Sequence, residues 1–331
     1  MISICIPTYN REASLYRLLA ILIPQCKGLN VEIIISDNGS SDGTEQICLE
    51  LGKNLDMLHY LKHKSNLGFA ENLVTVLKAG TGQYLWMLGD DEILQNNALE
   101  RIVTTLAREQ PSWLLCNFAK VINLNDPLEI KGQFKLSFDL SRVSLDEVLL
   151  VVGAWSSFMS INIVSQQAFR DWLSEHVIIK SDYIGFDICL HAGLLGNNYI
   201  LSEPLIWRQV FPLETHRFDR LNTYVLEFFA PLDRLVQDGH ITLATRNKLA
   251  SEMFFGIIGL MFLKARINNY KIPSLRIVAS QHWRCFSYWV LILPIVITPR
   301  FILVGLVFAL KRLLSYFTSS KAQKLSSYLN N

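Results

Sequence analysis

Three short apolar runs, each closing on polar or turn-forming residues, recur within the first ninety-two residues of the chain. They are Ser3-Ile4-Cys5-Ile6-Pro7-Thr8-Tyr9-Asn10-Arg11, Glu32 to Thr44 (EIIISDNGSSDGT) and Tyr84 to Glu92 (YLWMLGDDE). Each is short enough for a buried strand. Helical periodicity fills the gaps, with Leu15, Leu18, Leu19 and Leu22 after the first run and Ile47, Cys48 and Leu51 after the second. This β-α-β order restricts the chain to an α/β fold with a mainly parallel sheet and right-handed crossovers. In such sheets ligands bind beyond the C-terminal strand ends. Those ends carry Thr8, Asn10, Asp37, Asn38, Asp90 and Asp91, oxygen-bearing side chains suited to a nucleotide and a divalent cation.

Asp42 and Glu45 have the spacing of a capping box for the second helix. Residues 57–62 fit a third strand, Asn66 a cap for a helix through Lys78, and Gly80 to Gly82 its stop. Further on, Tyr84 to Leu88 reads as a strand, Asn97 to Arg108 as a helix and Trp113 to Ala119 as a strand. Residues 120–143 hold a hairpin or an irregular excursion. Val151 to Ile163 reads as a strand, Ser165 to Leu173 and Phe186 to Leu195 as helices, and Tyr199 to Arg208 as the last strand. Beyond residue 215 the pattern is helical, over Val225 to Leu235, Lys248 to Lys264 and Trp289 to Leu314. Two regions are therefore expected, an α/β domain over 1–215 and a helical, basic and apolar one over 216–331.

Charge divides the chain in the same way. From Met253 to Asn331 there are ten Lys or Arg and no Asp or Glu, which leaves 21 basic against 29 acidic residues before them. An acidic body with a basic end points to an anionic surface, either nucleic acid or membrane. Half the residues are apolar and mean hydropathy is positive. Within the basic end, Phe286 to Thr298 and Phe301 to Leu310 are apolar runs separated by Pro299-Arg300. Neither reaches the ~20 residues of a spanning helix. A helix pair lying in the membrane interface, with Lys264, Arg266, Lys271, Arg276, Arg284, Lys311 and Arg312 facing anionic headgroups, fits better than a single pass through Arg300. Six scattered cysteines without CxxC spacing read as reduced thiols. No secretory signal is expected, since Met1 leads straight into the first strand.

Four motifs in order, SICIPTYNR, EIIISDNGSSDGT, NLGFAEN (residues 66–72) and LGDDE, resemble family 2 glycosyltransferases of the GT-A (Rossmann-like) fold. The likeness covers residues 1–120 well and 150–215 loosely; within the family, bacterial O-antigen sugar transferases of the abequosyltransferase-like group are most similar. It implies inverting transfer of a sugar from a nucleotide-diphosphate sugar to a hydroxyl of a lipid-linked saccharide acceptor. The setting implied is the cytoplasmic face of the bacterial inner membrane, with peripheral or monotopic attachment to anionic lipids and no nucleic-acid partner. Pro7, Thr8, Tyr9 and Asn10 fall where the family contacts the nucleotide, and Asp37 where an acid holds base or ribose. Asn66 and Gly68 match an NxG turn, with Glu71 in place of an arginine.

The resemblance further implies Mg²⁺ or Mn²⁺, hard ions taking oxygen ligands, at Asp91 with Asp90 beside it. Leu88 stands where the family commonly has a further Asp, which leaves open which acid meets metal and which ribose. The general base implied is Asp187, ahead of ICLHAGLL, with Asp182 the alternative. His216 falls where some relatives place a metal or diphosphate ligand, and is otherwise a solvent-facing histidine. Trp155, Trp172 and Trp207 line an acceptor groove or serve as packing. Competing readings are a nucleic-acid binder using the basic end, a nucleotidyltransferase (PTYNR stands where its Gly-rich phosphate loop belongs) and a catalytically inactive scaffold.

Overall fold

The computed structural model describes residues 1–121, 132–175, 180–209 and 221–316. The chain forms two compact units, Met1–Val210 and Phe211–Asn331.

The first unit starts as the sequence pattern predicts. Strands β1 (Ile2–Thr8), β2 (Val31–Asp37), β3 (Leu58–Lys62) and β4 (Tyr84–Met87) lie in the order β3-β2-β1-β4, all parallel. Helices α1 (Glu12–Gln25), α2 (Thr44–Gly52) and α3 (Phe69–Ala79) connect them. Every residue of β1 and β2 is buried. Strands covered on both faces need continuous apolar runs, which is why alternation is missing there. α1 buries Leu15, Leu18, Leu19 and Leu22, and α3 buries Leu73, Val74, Val76 and Leu77.

The sheet then changes character. After β5 (Ile93–Leu94) come α4 (Ala98–Glu109), β6 (Trp113–Val121), β7 (Leu140–Val143), α5 (Leu145–Val152), β8 (Asn162–Ser165), α6 (Gln166–Glu175), α7 (Ile184–Leu194) and β9 (Asn198–Gln209). β8 inserts antiparallel between β4 and β6, so β6 and β9 again run in the direction of β1. β5 and β7 pair antiparallel with β9. The fold is α/β as expected, with a sheet that is parallel at its N-terminal half and mixed beyond it.

Three local expectations are corrected. Val151 to Ile163 is not a strand. Ser144 and Glu147 form a reciprocal capping box that starts α5, Gly153 at φ 63° stops it, and single-turn helices at Gly153–Ser157 and Met159–Ile161 precede β8. At α2 the N-cap is Gly43; Asp42 accepts from the backbone N–H groups of Thr44 and Glu12, while Glu45 pairs with Lys62. Gly68, rather than Asn66, precedes α3 at the cap position. The stretch 120–143 holds β7, and residues 122–131 of it lie outside the described residues. The six cysteines are free and buried.

The second unit is helical. It comprises α8 (Phe229–Gln237), α9 (Leu243–Met253), α10 (Gly259–Ile267), α11 (Leu275–His282), α12 (Leu293–Ile297) and α13 (Arg300–Tyr316). The expected helix over Lys248 to Lys264 is broken at Gly256, whose backbone leaves the helical region. Its core holds an ion network. Arg246, 2% exposed, donates to Asp233 Oδ1 at 2.7 Å, to the Gln281 carbonyl at 3.1 Å and to His282 Nδ1 at 3.1 Å. A guanidinium can only donate, so Nδ1 accepts and Nε2–H donates to the Val225 carbonyl at 3.0 Å. Burial first, then the Arg246 charge, lowers the His282 pKa to about 3.

Among the described residues no single helix is long and apolar enough to cross a membrane. Tyr288–Ile297 and Arg300–Ala309 meet the length and composition only as a pair, bent by 112°. Arginines hold the bend: Arg266 donates to the Thr298 carbonyl at 3.0 Å, and Arg300 to the Ile267 carbonyl at 2.8 Å, at the C-terminus of α10.

Because His282 stays neutral when folded but titrates near 6.5 when unfolded, its contribution is intact above that pH. It is lost steadily as pH falls toward 3. Urea denaturation should show roughly 2–3 kcal/mol lost from this source by pH 4.5. His282→Gln should flatten that slope; an unchanged slope would contradict the assignment.

Candidate active site

Register brings the expected residues to one edge. Thr8, the last residue of β1, is the register partner of Asp37 at the end of β2. Its hydroxyl donates to Asp90 Oδ2 at 2.7 Å, just beyond β4. Its carbonyl accepts from the Asn38 N–H at 2.9 Å. One threonine thus ties three strand ends together. Pro7 is buried in β1, and Tyr9 is exposed beyond it.

The loops are fastened just as closely. Asn10, at φ 51°, receives the Ser41 N–H on Oδ1, and its own N–H donates to Ser40 Oγ. Left-handed backbone is tolerated by asparagine better than by most residues. Asp37 is fully buried, taking the Ser40 N–H on one oxygen (2.8 Å) and the Tyr60 hydroxyl on the other (2.6 Å). Asn38 clamps the Asn66–Gly68 turn: its amide donates to Asn66 Oδ1 and the Gly68 carbonyl, and its Oδ1 accepts from the Leu67 N–H. Gly39 makes this approach possible, since at φ 79° a Cβ would sit 3.0 Å from the Ser65 carbonyl carbon. Beneath them Asn72 of α3 bridges Ser36 and the Thr8 carbonyl.

Three consecutive acids follow β4. Asp90 is pushed up to about 6, chiefly by burial and next, against it, held down by the Thr8 hydroxyl; the neighbouring Asp91 charge also raises it. Glu92 is pushed up to about 8 by burial and then by Asp91. Its Oε1 accepts from Ser160 Oγ at 2.9 Å, and Oε2 is buried with no partner among the described residues. Ser160 also receives the Gly89 N–H, and a Cβ at Gly89 would lie 3.0 Å from that hydroxyl. Asp91 is half-buried and accepts no hydrogen bond among the described residues.

These groups suit a hard divalent ion without forming a cage for one. Among the described residues no three His, Cys, Asp or Glu side chains converge on a metal position. Mg²⁺ or Mn²⁺ commonly binds through one or two carboxylates and completes its shell with water and phosphate oxygens. Burial and the neighbouring acids disfavour negative charge at Asp90 and Glu92, a penalty that such an ion would relieve.

The remaining expected residues sit elsewhere. Asp187 lies in the first turn of α7, where its Oδ2 accepts from the buried Trp172 indole at 3.2 Å. Gly185, two residues earlier, faces Leu73 of α3 and Met87 of β4, so α7 begins beside the acid strand. Asp182 is exposed ahead of the helix. No described contact joins either aspartate to Asp90 or Asp91. His216 lies outside the described residues. Trp172 is packing, and Trp155 belongs to an aromatic cluster with Phe118 and Phe158. Sequence reasoning missed Glu92, Ser160 and the clamp role of Asn38. Glu92 was visible as the third acid of LGDDE, whereas nothing marks Ser160 before folding brings it seventy-one positions back to Gly89.

Residues 3–159 match the family model described as glycosyl transferase family 2. This part of the chain is a family 2 glycosyltransferase domain. Abequosyltransferase RfbV of Salmonella typhimurium is 37% identical over 119 residues, 35% of this chain and 35% of that protein. The match therefore spans about a third of that relative's length. The E. coli protein WfgD, a UDP-Glc:alpha-D-GlcNAc-diphosphoundecaprenol beta-1,3-glucosyltransferase, is 25% identical over 238 residues, 68% of this chain and 87% of that protein. The fold is that of S. aureus TarS 1–349 (TM-score 0.59, 16% identity, covering 81% and 79% of the two chains). It is also that of the Pyrobaculum calidifontis mannosyltransferase PcManGT, solved with GDP-Man and Mn²⁺ (TM-score 0.57, 15% identity, covering 99% and 84%).

Removing the Ser160 hydroxyl leaves the Gly89 N–H and the Glu92 carboxyl without their buried partner. Ser160→Ala should cost the first unit about 1–3 kcal/mol in urea denaturation. A loss below about 0.5 kcal/mol would argue against Ser160 joining Gly89 and Glu92.

Proposed function

We propose that the chain transfers a sugar, with inversion, from a nucleotide-diphosphate sugar to a hydroxyl of a lipid-linked saccharide, in bacterial surface polysaccharide synthesis. The observation that carries this reading is the Thr8 bridge, which sets Asp90 beside the Thr8–Asp37 strand ends. A nucleotide's base and ribose would lie over Pro7 to Asn10 and Asp37, with the Asn66–Gly68 turn alongside. Its diphosphate would reach toward Asp90 and Asp91. When bound there, Mg²⁺ or Mn²⁺ supplies positive charge against the charge growing on the departing diphosphate. The buried floor of Thr8, Asp37 and Ser36 fixes these groups before substrate arrives, so little reorganisation remains.

Inversion needs one carboxylate to take the acceptor proton. Asp187 fills that role in this reading, oriented by the Trp172 indole; Asp182 is the alternative. The lipid-linked acceptor is favoured by WfgD, whose substrate by name is diphosphoundecaprenol-linked.

The second unit fits a peripheral membrane attachment. Phe286 and Phe301 are each 76% exposed, with Trp283, Trp289, Ile297, Leu306 and Phe308 also exposed. Exposed aromatics with basic residues and no acids suit an anionic lipid interface. The site of action proposed is the cytoplasmic face of the inner membrane.

Two experiments test these statements. Incubated with a panel of nucleotide-sugars and Mn²⁺, the protein should release nucleoside diphosphate, and Asp91→Asn should lower the rate at least a hundredfold with an unchanged melting temperature. Retained turnover refutes the role of Asp91. In liposome sedimentation, vesicles with 30% anionic lipid should retain the protein about tenfold better than neutral ones. Phe286→Ser with Phe301→Ser should bring retention on the anionic vesicles down to the level of the neutral ones; retention equal to that of the unsubstituted protein would refute attachment through this surface.

A further inference from the structure

β6 and β9 run parallel and end side by side, with Lys120 the register partner of Arg208. Both strands run in the direction of β1 and β4, so these cations stand at the edge that carries Thr8, Asp37 and Asp90. Side chains alternate along a strand. Phe118 and Lys120 therefore share a face, as do their partners Ile206 and Arg208. On that face Phe118 packs on Trp155 and Phe158, with ring centres 5.2 and 4.9 Å away.

The cations lie on the same rings. Lys120 Nζ is 4.3 Å from the Trp155 centre, and the Arg208 guanidinium carbon is 5.5 Å from it and 5.3 Å from the centre of Phe158. Among the described residues neither cation forms a salt bridge. Burial and then the Arg208 charge depress the Lys120 pKa, so the two positive groups strain against each other. The acids are adjacent: Ile93 pairs with Trp207, which sets Glu92 next to Arg208 across the antiparallel β5–β9 pair. Two cations on neighbouring strands, neither in a salt bridge among the described residues and Arg208 beside Glu92, are arranged to receive an anion with more than one charge. Arginine offers a fork matching phosphate oxygens and lysine a point charge.

We propose that Lys120 and Arg208 form a binding pair for a diphosphate ester, with Trp155 and Phe158 as its apolar wall. This deepens the glycosyltransferase reading and rests on it, because both substrates of that reaction are diphosphate esters. The donor nucleotide or the lipid-linked acceptor can supply the group.

Calorimetry on the full chain separates the sources. Geranyl diphosphate is titrated in EDTA, where no metal ion contributes, with geraniol as the neutral control. UDP, GDP, CDP and dTDP are titrated with Mn²⁺. Lys120→Gln and Arg208→Gln should each weaken one class of diphosphate at least tenfold. Loss confined to geranyl diphosphate assigns the pair to the acceptor, and loss confined to the nucleotides assigns it to the donor. Affinities unchanged within twofold for both classes overturn the proposal, as does wild-type protein that binds neither, or geraniol binding as tightly as its diphosphate. If Arg208→Gln melts early, Lys120→Gln alone decides. Absence of nucleoside diphosphate release from every nucleotide-sugar would refute the transferase reading separately, since the EDTA titration needs no turnover.

Discussion

The hydrogen bond from Thr8 to Asp90 is the contact on which the first unit's chemistry depends. A parallel sheet delivers several strand ends to one edge, but it does not fix how the loops beyond them sit. Thr8 does so by using both of its polar groups, hydroxyl toward Asp90 and carbonyl toward Asn38. Asn38 in turn clamps the Asn66–Gly68 turn, and Asn72 supports the strands from below. Thr8, Asn38 and Asn72 are buried, so a lost partner would leave a polar group unsatisfied. Breaking any one of these bonds is therefore expensive.

Burial also governs the acids. Asp90 and Glu92 sit where desolvation disfavours their charged forms, and Asp91 between them raises both. Such a cluster is destabilised as long as its charge is uncompensated. Ser160 and Arg208 moderate the strain at Glu92 without removing it. The same edge holds acids and cations a strand apart, a division of charge that suits a cation and a polyanion bound together.

The second unit solves a different problem. Its helices are short and interrupted, and a buried arginine joins them through Asp233, His282 and the Gln281 carbonyl. Buried ion pairs seldom add much net stability, but a guanidinium with fixed acceptors admits few alternative packings. The bend before α13 is held by backbone carbonyls that Arg266 and Arg300 cap. Arg300, a costly residue inside a membrane, has a structural use at that turn.

The sequence alone determined the β-α-β order, the buried strands, the motif-bearing strand ends and the charge division, because each is written in local periodicity and spacing. It also carried the family likeness over the first half of the chain. Helix starts were misread at Asp42, which bonds Thr44 and also reaches across to the start of α1, and at Asn66, which bonds Asn38 across the loop. Val151 to Ile163 was misread because an apolar run has no period that separates a buried strand from turns of helix. Only tertiary structure decided that β8 enters antiparallel, that Ser160 reaches Gly89 and Glu92, and that Lys120 and Arg208 meet over Trp155. Those contacts join residues dozens of positions apart, and their geometry comes from strand order and register, which no local pattern encodes.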